Sequence, residues 1–218
     1  MTNSFALEVG TDQGPGRLHL EVPDAVLGAI VLGGGASGQV ATTDLDALAA
    51  GLPGSGWVVA RYELPWRVAG RKVGPRPPAS DQLWQAGVAA VREQWPGVPL
   101  VTGGRSAGAR IACRTWTPLL AGIVALSFPL HAPGKPATSR LAELQSVGVP
   151  VLLVSGARDP FGTPDEWAAA VAAEQAGRRE LVIVPGATHS FPARTAQDVL
   201  AAVAAFLGRE TGSQPASA

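Results

Sequence analysis

Short, continuous apolar runs alternate along the chain with segments of helical pattern. Three of the apolar runs are AVLGAIVL at 25–32, WVVARYEL at 57–64 and PVLLVSG at 150–156. Strands that are buried on both faces of a parallel sheet have such continuous runs of Val, Ile and Leu. Because strands alternate with helices, the pattern predicts an α/β fold, with a mostly parallel sheet and helices on both of its faces. In such sheets, ligands bind beyond the carboxyl ends of the strands.

Turn and cap residues divide the rest of the chain into further elements. FALEV and RLHLEV predict an N-terminal hairpin, and Ser80 is expected to cap the helix that runs to Trp95. Thr163, Pro164 and Glu166 have the spacing of a capping box at a helix start. Other strands are predicted at 99–104, 121–128 and 179–186, and other helices at 43–50, 106–116, 138–147, 163–175 and 195–207. We expect one domain over residues 1–208 and a flexible tail at 209–218.

Composition excludes several classes of protein. Of 218 residues, 46% are hydrophobic, which suits a folded core rather than disorder. Basic and acidic residues number 17 each, so no broad basic surface for nucleic acid or an acidic membrane is expected. Cys113 is the only cysteine, which excludes an intrachain disulfide and a cysteine metal site. The N-terminus lacks signal-peptide features and no run of about 18 apolar residues occurs, so we expect a cytoplasmic protein without membrane contact.

A G-x-S-x-G pattern centred on Ser106 supplies a candidate nucleophile. LVTGG precedes Ser106 as a strand and ARIAC follows as a helix. In this context the serine lies on a sharp turn between strand and helix, which lifts its hydroxyl above the sheet. The pattern is weak evidence by itself, but the strand before it and the helix after it are what the chemistry requires.

A serine hydroxyl needs a base that accepts its proton, and a histidine held by a carboxylate is the usual one. The expected chain order is Ser, then Asp or Glu, then His. Asp159 follows the strand at 150–156 and His189 follows the strand at 179–186. Asp165 is the rival acid, but an acid is expected in the first turn of a helix. His131, which follows the strand at 121–128, competes as the base, whereas His19 is interpreted as a surface strand residue.

Glycine-rich segments near the nucleophile predict an oxyanion hole. One donor is expected to be the backbone N–H of Ala107, directly after Ser106. The second is expected from the loop that begins at Gly33, with Gly35 the best candidate and Ala36 the next. This loop lacks both G-x-G-x-x-G and G-K-[ST], which argues against nucleotide binding. The chemistry needs no metal or organic cofactor.

Three longer stretches resemble a known family. They are GGRSAGAR at 103–110, FPLHAPGKP at 128–136 and GARDPFGTP at 156–164. The chain resembles the small α/β-hydrolases related to dienelactone hydrolase, and within them a group that includes a subunit of the eukaryotic NSL histone acetyltransferase complex. The resemblance extends from about residue 27 to 207. It implies the α/β-hydrolase fold without a cap domain, with Ser106, Asp159 and His189 as nucleophile, acid and base.

The resemblance implies a reaction class but no specific substrate. Dienelactone hydrolase uses a cysteine nucleophile where this chain has Ser106, so a dienelactone substrate does not carry over. The group often has a histidine-glycine pair where this chain has Gly33 and Gly34. The leading hypothesis is hydrolysis of a small acyl substrate, with short, unbranched esters the easiest to cleave because no lid is predicted. The alternative is a binding or scaffold protein that keeps the fold.

The long loop at 65–79 is the only sizeable candidate for a pocket wall. We interpret its basic side chains either as a solvated surface or as a rim that favours acidic substrates; they are Arg67, Arg71, Lys72 and Arg76. Four residues near strand ends are candidates for substrate contact, although ordinary packing explains them equally well: Trp66, Phe128, His131 and Phe161. No feature of the sequence indicates an oligomeric state.

Overall fold

The computed structural model describes residues 1–172 and 179–212. In this part of the chain, eight strands form one sheet in the order β1-β2-β4-β3-β5-β6-β7-β8. The strands are β1 (Thr2–Val9), β2 (Gly16–Pro23), β3 (Gly28–Gly33), β4 (Trp57–Glu63), β5 (Leu100–Arg105), β6 (Gly122–Leu126), β7 (Val151–Gly156) and β8 (Arg179–Val184).

The strand pairings are antiparallel at one edge of the sheet and parallel in the rest of it. β1 pairs antiparallel with β2, and β2 pairs antiparallel with β4, so the predicted hairpin forms the edge of the sheet. Every other pairing, from β4 to β8, is parallel. The carboxyl ends of these six strands therefore meet along one edge of the sheet, which confirms the predicted mostly parallel architecture.

Seven α-helices lie between or after the strands within the described residues. They are α1 (Thr43–Gly51), α2 (Pro65–Val68), α3 (Ala79–Gln94), α4 (Ala107–Arg114), α5 (Leu141–Gln145), α6 (Pro164–Ala172) and α7 (Ala196–Gly212). None of the helices in the described ranges is long and apolar enough to cross a membrane.

Helices cover both faces of the sheet. On one face, Leu48 of α1 and Val203 of α7 pack in one apolar cluster with sheet residues such as Ile30. On the other face, α3 packs on the β2–β4 half of the sheet and α4 and α6 on the β6–β7 half. The side chains at the sheet's centre are fully buried, as continuous apolar strands require.

Two of the predicted helix starts have different outcomes. The capping box is confirmed, because the Thr163 N–H donates to Glu166 Oε2 at 2.8 Å and the Glu166 N–H donates to Thr163 Oγ1 at 3.3 Å. Ser80 is not the cap of α3. That helix begins two residues earlier, at Ala79 after Pro78, whose carbonyl accepts the Asp81 and Gln82 N–H groups. The buried Ser80 hydroxyl instead donates to the Asp81 carboxylate at 3.1 Å.

Two other helix boundaries also differ from the prediction. α7 continues past Leu207 to Gly212, and on this extension Arg209 forms an ion pair with Glu180 of β8. The rest of the predicted tail, 213–218, lies outside the described residues, as does the predicted end of α6 beyond 172. α5 is shorter than predicted and is the only helix between β6 and β7, so residues 127–150 form no cap domain.

Candidate active site

Ser106 lies on a strained turn between β5 and α4. Its φ is 53° and its ψ is −105°, a left-handed conformation that costs free energy for any residue except glycine. The flanking glycines let β3 approach, since a Cβ on Gly104 or Gly108 would lie 2.4 or 2.5 Å from the Gly33 carbonyl oxygen. The Gly108 N–H also donates to the Gly34 carbonyl at 3.0 Å. The predicted turn therefore forms, and it presents the Ser106 hydroxyl at the carboxyl edge of the sheet.

The loops that follow β7 and β8 are joined by main-chain hydrogen bonds. The Ala157 N–H donates to the Val184 carbonyl and the Arg158 N–H to the Ala187 carbonyl, each at 3.0 Å. Gly156 makes this approach feasible, because a Cβ there would lie 2.2 Å from the Thr188 carbonyl oxygen. The loop of Asp159 is consequently held against the loop of His189.

The three residues predicted as a triad are connected through His189. Its Nε2 lies 2.9 Å from Ser106 Oγ, and its Nδ1 lies 2.9 and 3.1 Å from the two carboxylate oxygens of Asp159. Asp159 is buried, with 1% of its surface exposed. Asp159 Oδ1 also accepts the Phe161 N–H at 2.9 Å. The Phe161 ring stacks on the imidazole with centroids 4.0 Å apart, so Phe161 borders the site, while its contact with a substrate stays a prediction.

This arrangement determines which nitrogen of a neutral His189 carries the proton. An ionised carboxylate only accepts hydrogen bonds, so Nδ1 must donate to Asp159. Nε2 is then the free acceptor and faces the Ser106 hydroxyl. The imidazole is therefore oriented to take a proton from the serine.

The proposed oxyanion donors lie on the other side of Ser106. Ala107 is the first residue of α4, and the first N–H groups of a helix have no partner within the helix. Gly35 faces the same place, since a Cβ built on it would lie 3.9 Å from Ser106 Cβ. Both residues thus lie close to the serine, and their roles as oxyanion donors stay predictions.

Arg105, for which no sequence pattern indicated a role, links the turn of Ser106 to the loop of His189 and to the start of α1. Its Nη2 donates to the His189 carbonyl at 2.7 Å and to Ser190 Oγ at 2.6 Å. Its Nε lies 3.2 Å from Asp44 Oδ2, and Asp44, at the start of α1, is 2% exposed. Thr42 Oγ1 donates to the other Asp44 oxygen at 2.6 Å. Arg105 occupies the variable position of G-x-S-x-G, which gave no signal of this role.

The other candidate residues have different surroundings. Phe128 is 1% exposed and packs edge-on against Trp167, with ring centroids 6.0 Å apart. His131 contacts neither Ser106 nor Asp159 through a hydrogen bond; its ring bonds the Ala132 carbonyl and Glu166. It therefore does not take the position of the base.

Asp165, the rival acid, and His19, the remaining histidine, have the surroundings that their sequence positions predict. Asp165 is an exposed residue in the first turn of α6, as a dipole-related role requires. His19 lies on β2 with its Nε2 3.3 Å from Glu63, in agreement with its interpretation as a surface strand residue.

Hydrogen bonds shift the pKa values of His131 and Glu166 in opposite directions. The Ala132 carbonyl and then Glu166 raise the pKa of His131 above 6.5. The Thr163 N–H and then His131 lower the pKa of Glu166 from 4.5 to about 2. The histidine contribution to stability is complete below pH 6.5 and is lost as the pH rises through the raised pKa. The carboxylate contribution is present above pH 4.5 and is lost as the pH falls towards 2.

We therefore expect a His131→Gln variant to lose most stability, relative to the parent chain, between about pH 4.5 and 6.5. Above that window the difference should shrink, because the folded parent releases the His131 proton. The check is the free energy of unfolding by urea, measured for both proteins at several pH values. A difference that stays constant with pH would contradict the assigned ion pair.

Cys113 is not a second nucleophile. Burial raises the pKa of its thiol to about 12, so it stays protonated near neutral pH. Across residues 1–172 and 179–212, no group of three or more His, Cys, Asp or Glu side chains is placed to hold a metal ion.

Comparison with known proteins extends this description. A family model described as an alpha/beta hydrolase domain matches residues 27–205. A lidless α/β serine hydrolase from Xanthomonas campestris superposes with a TM-score of 0.78 at 22% identity, covering 99% of this chain and 98% of that chain. An esterase from Pyrococcus furiosus superposes with a TM-score of 0.75 at 19% identity, covering 97% of this chain and 92% of its own.

A third similar structure, an α/β serine hydrolase homologue from Coxiella burnetii, superposes with a TM-score of 0.71 at 20% identity, covering 96% and 97% of the two chains. No curated protein matches the sequence significantly. Structural likeness at these identities establishes the fold, and it confirms the predicted fold class.

Proposed function

The chain belongs to the α/β-hydrolase domain family, and from this premise we propose that it is a serine hydrolase that cleaves a small ester or thioester. The observation that carries the proposal is the continuous hydrogen-bonded path from Asp159 through His189 to Ser106 Oγ. The left-handed backbone at Ser106 adds to it, because such strain is characteristic of functional sites. Within the family, the three sequence stretches described above favour the group related to dienelactone hydrolase.

The proposed reaction has two halves. Ser106 Oγ attacks the acyl carbonyl while His189 Nε2 accepts the hydroxyl proton, and the Ala107 and Gly35 N–H groups stabilise the tetrahedral oxyanion. His189 then gives that proton to the leaving alcohol or thiol, and an acyl-enzyme remains. Water attacks the acyl-enzyme by the same route, which releases the acid and restores Ser106. Asp159 holds the imidazole in the required tautomer and stabilises the imidazolium.

A fluorophosphonate probe separates this proposal from the scaffold hypothesis. An activated serine displaces fluoride and forms one covalent phosphonyl adduct, whereas an ordinary surface serine lacks both a base and a site for the developing charge. We expect one label per chain, which peptide mass spectrometry should locate at Ser106. Ser106→Ala should abolish the labelling and His189→Ala should reduce it at least about 10³-fold.

Ser139→Ala provides the matched control, because Ser139 is an exposed serine in the loop before α5. That variant should label at the parental rate. Absence of label on folded protein, together with no turnover of short acyl esters, would favour the scaffold hypothesis. Label that survives Ser106→Ala would place the nucleophile elsewhere.

A further inference from the structure

We propose that the cavity between the 65–77 loop and helix α4 binds an apolar, medium-length acyl chain of the substrate. This inference rests on the proposed serine hydrolase function and specifies its substrate class. We call this space the acyl cavity; its volume is about 270 Å³. The presence of this cavity differs from the expectation from sequence, which is that the site offers little surface to a chain longer than a short acyl group.

The acyl cavity borders the residues that are proposed to hold the acyl group. Gly34, Gly35 and Ala107 are among the residues that line it, whereas Ser106 itself is not. Gly35 is also the residue whose Cβ would lie 3.9 Å from Ser106 Cβ. An acyl carbon bonded to Ser106 Oγ, with its oxygen at the Ala107 N–H, therefore lies beside two residues of the cavity wall.

The wall of the acyl cavity is mainly apolar. Its apolar and aromatic residues come from β4 and the residue after it, from α2 and the loop that follows, and from α3 and α4, namely Tyr62, Leu64, Trp66, Val73, Trp84 and Ile111. Trp66 is fixed in place by two glycines, because a Cβ on Gly38 or Gly74 would lie 2.5 or 2.6 Å from its indole ring. Trp66, predicted as a substrate contact, is thus 4% exposed and part of a rigid wall.

The cationic side chains around the acyl cavity are already paired. Arg110 Nε donates to Glu143 at 2.8 Å, and Arg114 Nε donates to Asp81 at 3.0 Å. Among the described residues that line the cavity, these two are the only cations. Arg71 and Arg76 of the loop are exposed and do not line it. The cavity therefore favours a neutral, apolar chain over the acidic substrate that a basic rim would select.

The volume of the acyl cavity limits the length of the acyl chain that it can hold. A water molecule takes up about 30 Å³ in the liquid, and a methylene group takes up a similar volume. The cavity thus accommodates about nine such groups, which corresponds to an acyl chain of about six to eight carbons once packing gaps are allowed for. Each methylene that leaves water for this wall should raise kcat/KM about threefold to fourfold.

A series of p-nitrophenyl esters from acetate to dodecanoate tests the inference on the full chain. We expect kcat/KM to rise along the series, to exceed the acetate value by at least about tenfold near hexanoate or octanoate, and then to fall. Turnover of acetate with no gain for longer chains would overturn the acyl cavity and leave the proposed function standing. No turnover of any ester and no fluorophosphonate label would overturn both.

Val73→Trp tests the location of the chain. Val73 is 78% exposed at the rim of the cavity, so the bulkier side chain can block the cavity without disturbing the core. We expect the octanoate-to-acetate ratio of kcat/KM to fall at least about tenfold, with an unchanged Tm. Leu119→Trp is the matched control, since Leu119 is 79% exposed in the loop before β6 and does not line the cavity. The octanoate-to-acetate ratio of Leu119→Trp should equal that of the parent chain. An equal fall of this ratio in both variants would overturn the inference, and so would an unchanged ratio in Val73→Trp.

Discussion

Replacing Asp159 with asparagine should lower kcat about 10³- to 10⁴-fold while the fold stays intact. In the structure, the carboxylate accepts the Nδ1 proton of His189 at 2.9 Å, which leaves Nε2 free to accept the Ser106 proton. An asparagine amide can instead donate to Nδ1 and stabilise the tautomer whose Nε2 carries the proton. Such a histidine cannot act as the base. The measurement is kcat for a p-nitrophenyl ester, with circular dichroism to verify the fold.

Asp165→Asn is the control for this prediction. Asp165 lies only six positions after Asp159 in the sequence, but it is exposed in the first turn of α6. Its loss should cost on the order of 0.5 kcal/mol of stability through the helix dipole and leave kcat unchanged. If Asp165→Asn lowered kcat by orders of magnitude and Asp159→Asn did not, the acid would be misassigned.

Much of the site was predictable from the sequence because the topology of a parallel sheet is simple. Residues that directly follow parallel strands must gather at one edge, whatever the details of packing. Ser106, Asp159 and His189 each follow such a strand, so their meeting required only the correct strand assignment. The capping box at Thr163 was similarly predictable, because its partners lie three residues apart.

Features that depend on packing between distant segments were not predictable. Ser80 suits a helix cap by residue type, but the conformation of Pro78 starts α3 earlier. In the wall of the acyl cavity, Trp66 packs on Gly38 and Gly74, which lie on two separate loops. Trp66 is a candidate contact from its place in the sequence, but periodicity carries no information about which glycines allow its ring to approach.

Arg105 is the clearest example of a functional contact that only the tertiary structure reveals. Its guanidinium pairs with Asp44 of α1 and with the carbonyl of His189, so it holds the histidine loop against the start of that helix. These partners lie 61 and 84 positions from Arg105 in the sequence. No local pattern could bring them together, although the result is a side chain that contacts the main chain of the proposed base.

Arg105→Met should consequently lower kcat about 10- to 100-fold and change KM little. The methionine keeps much of the side-chain volume but cannot donate to the His189 carbonyl, so the imidazole loses one of the contacts that orient it. A displacement of about 1 Å at a catalytic group is enough to cost about 10²-fold in rate. The measurement is kcat and KM for the best ester of the series, together with the free energy of unfolding in urea.

Loss of stability must be separated from loss of orientation, because Arg105→Met also leaves the buried Asp44 without its cation. Breaking one side of a buried ion pair typically costs about 3 kcal/mol or more. The double variant Asp44→Asn/Arg105→Met removes that unpaired charge, so it should recover stability while kcat stays low.

Arg61→Met is the matched control, since Arg61 also forms ion pairs with an acid of α1, Asp46, and with Glu21 at 2.9 Å, away from Ser106. We expect Arg61→Met to lose stability at parental kcat. Arg105→Lys keeps a cation beside Asp44 and should restore part of the lost kcat. If Arg105→Met kept its parental kcat and lost only stability, Arg105 would have a purely structural role.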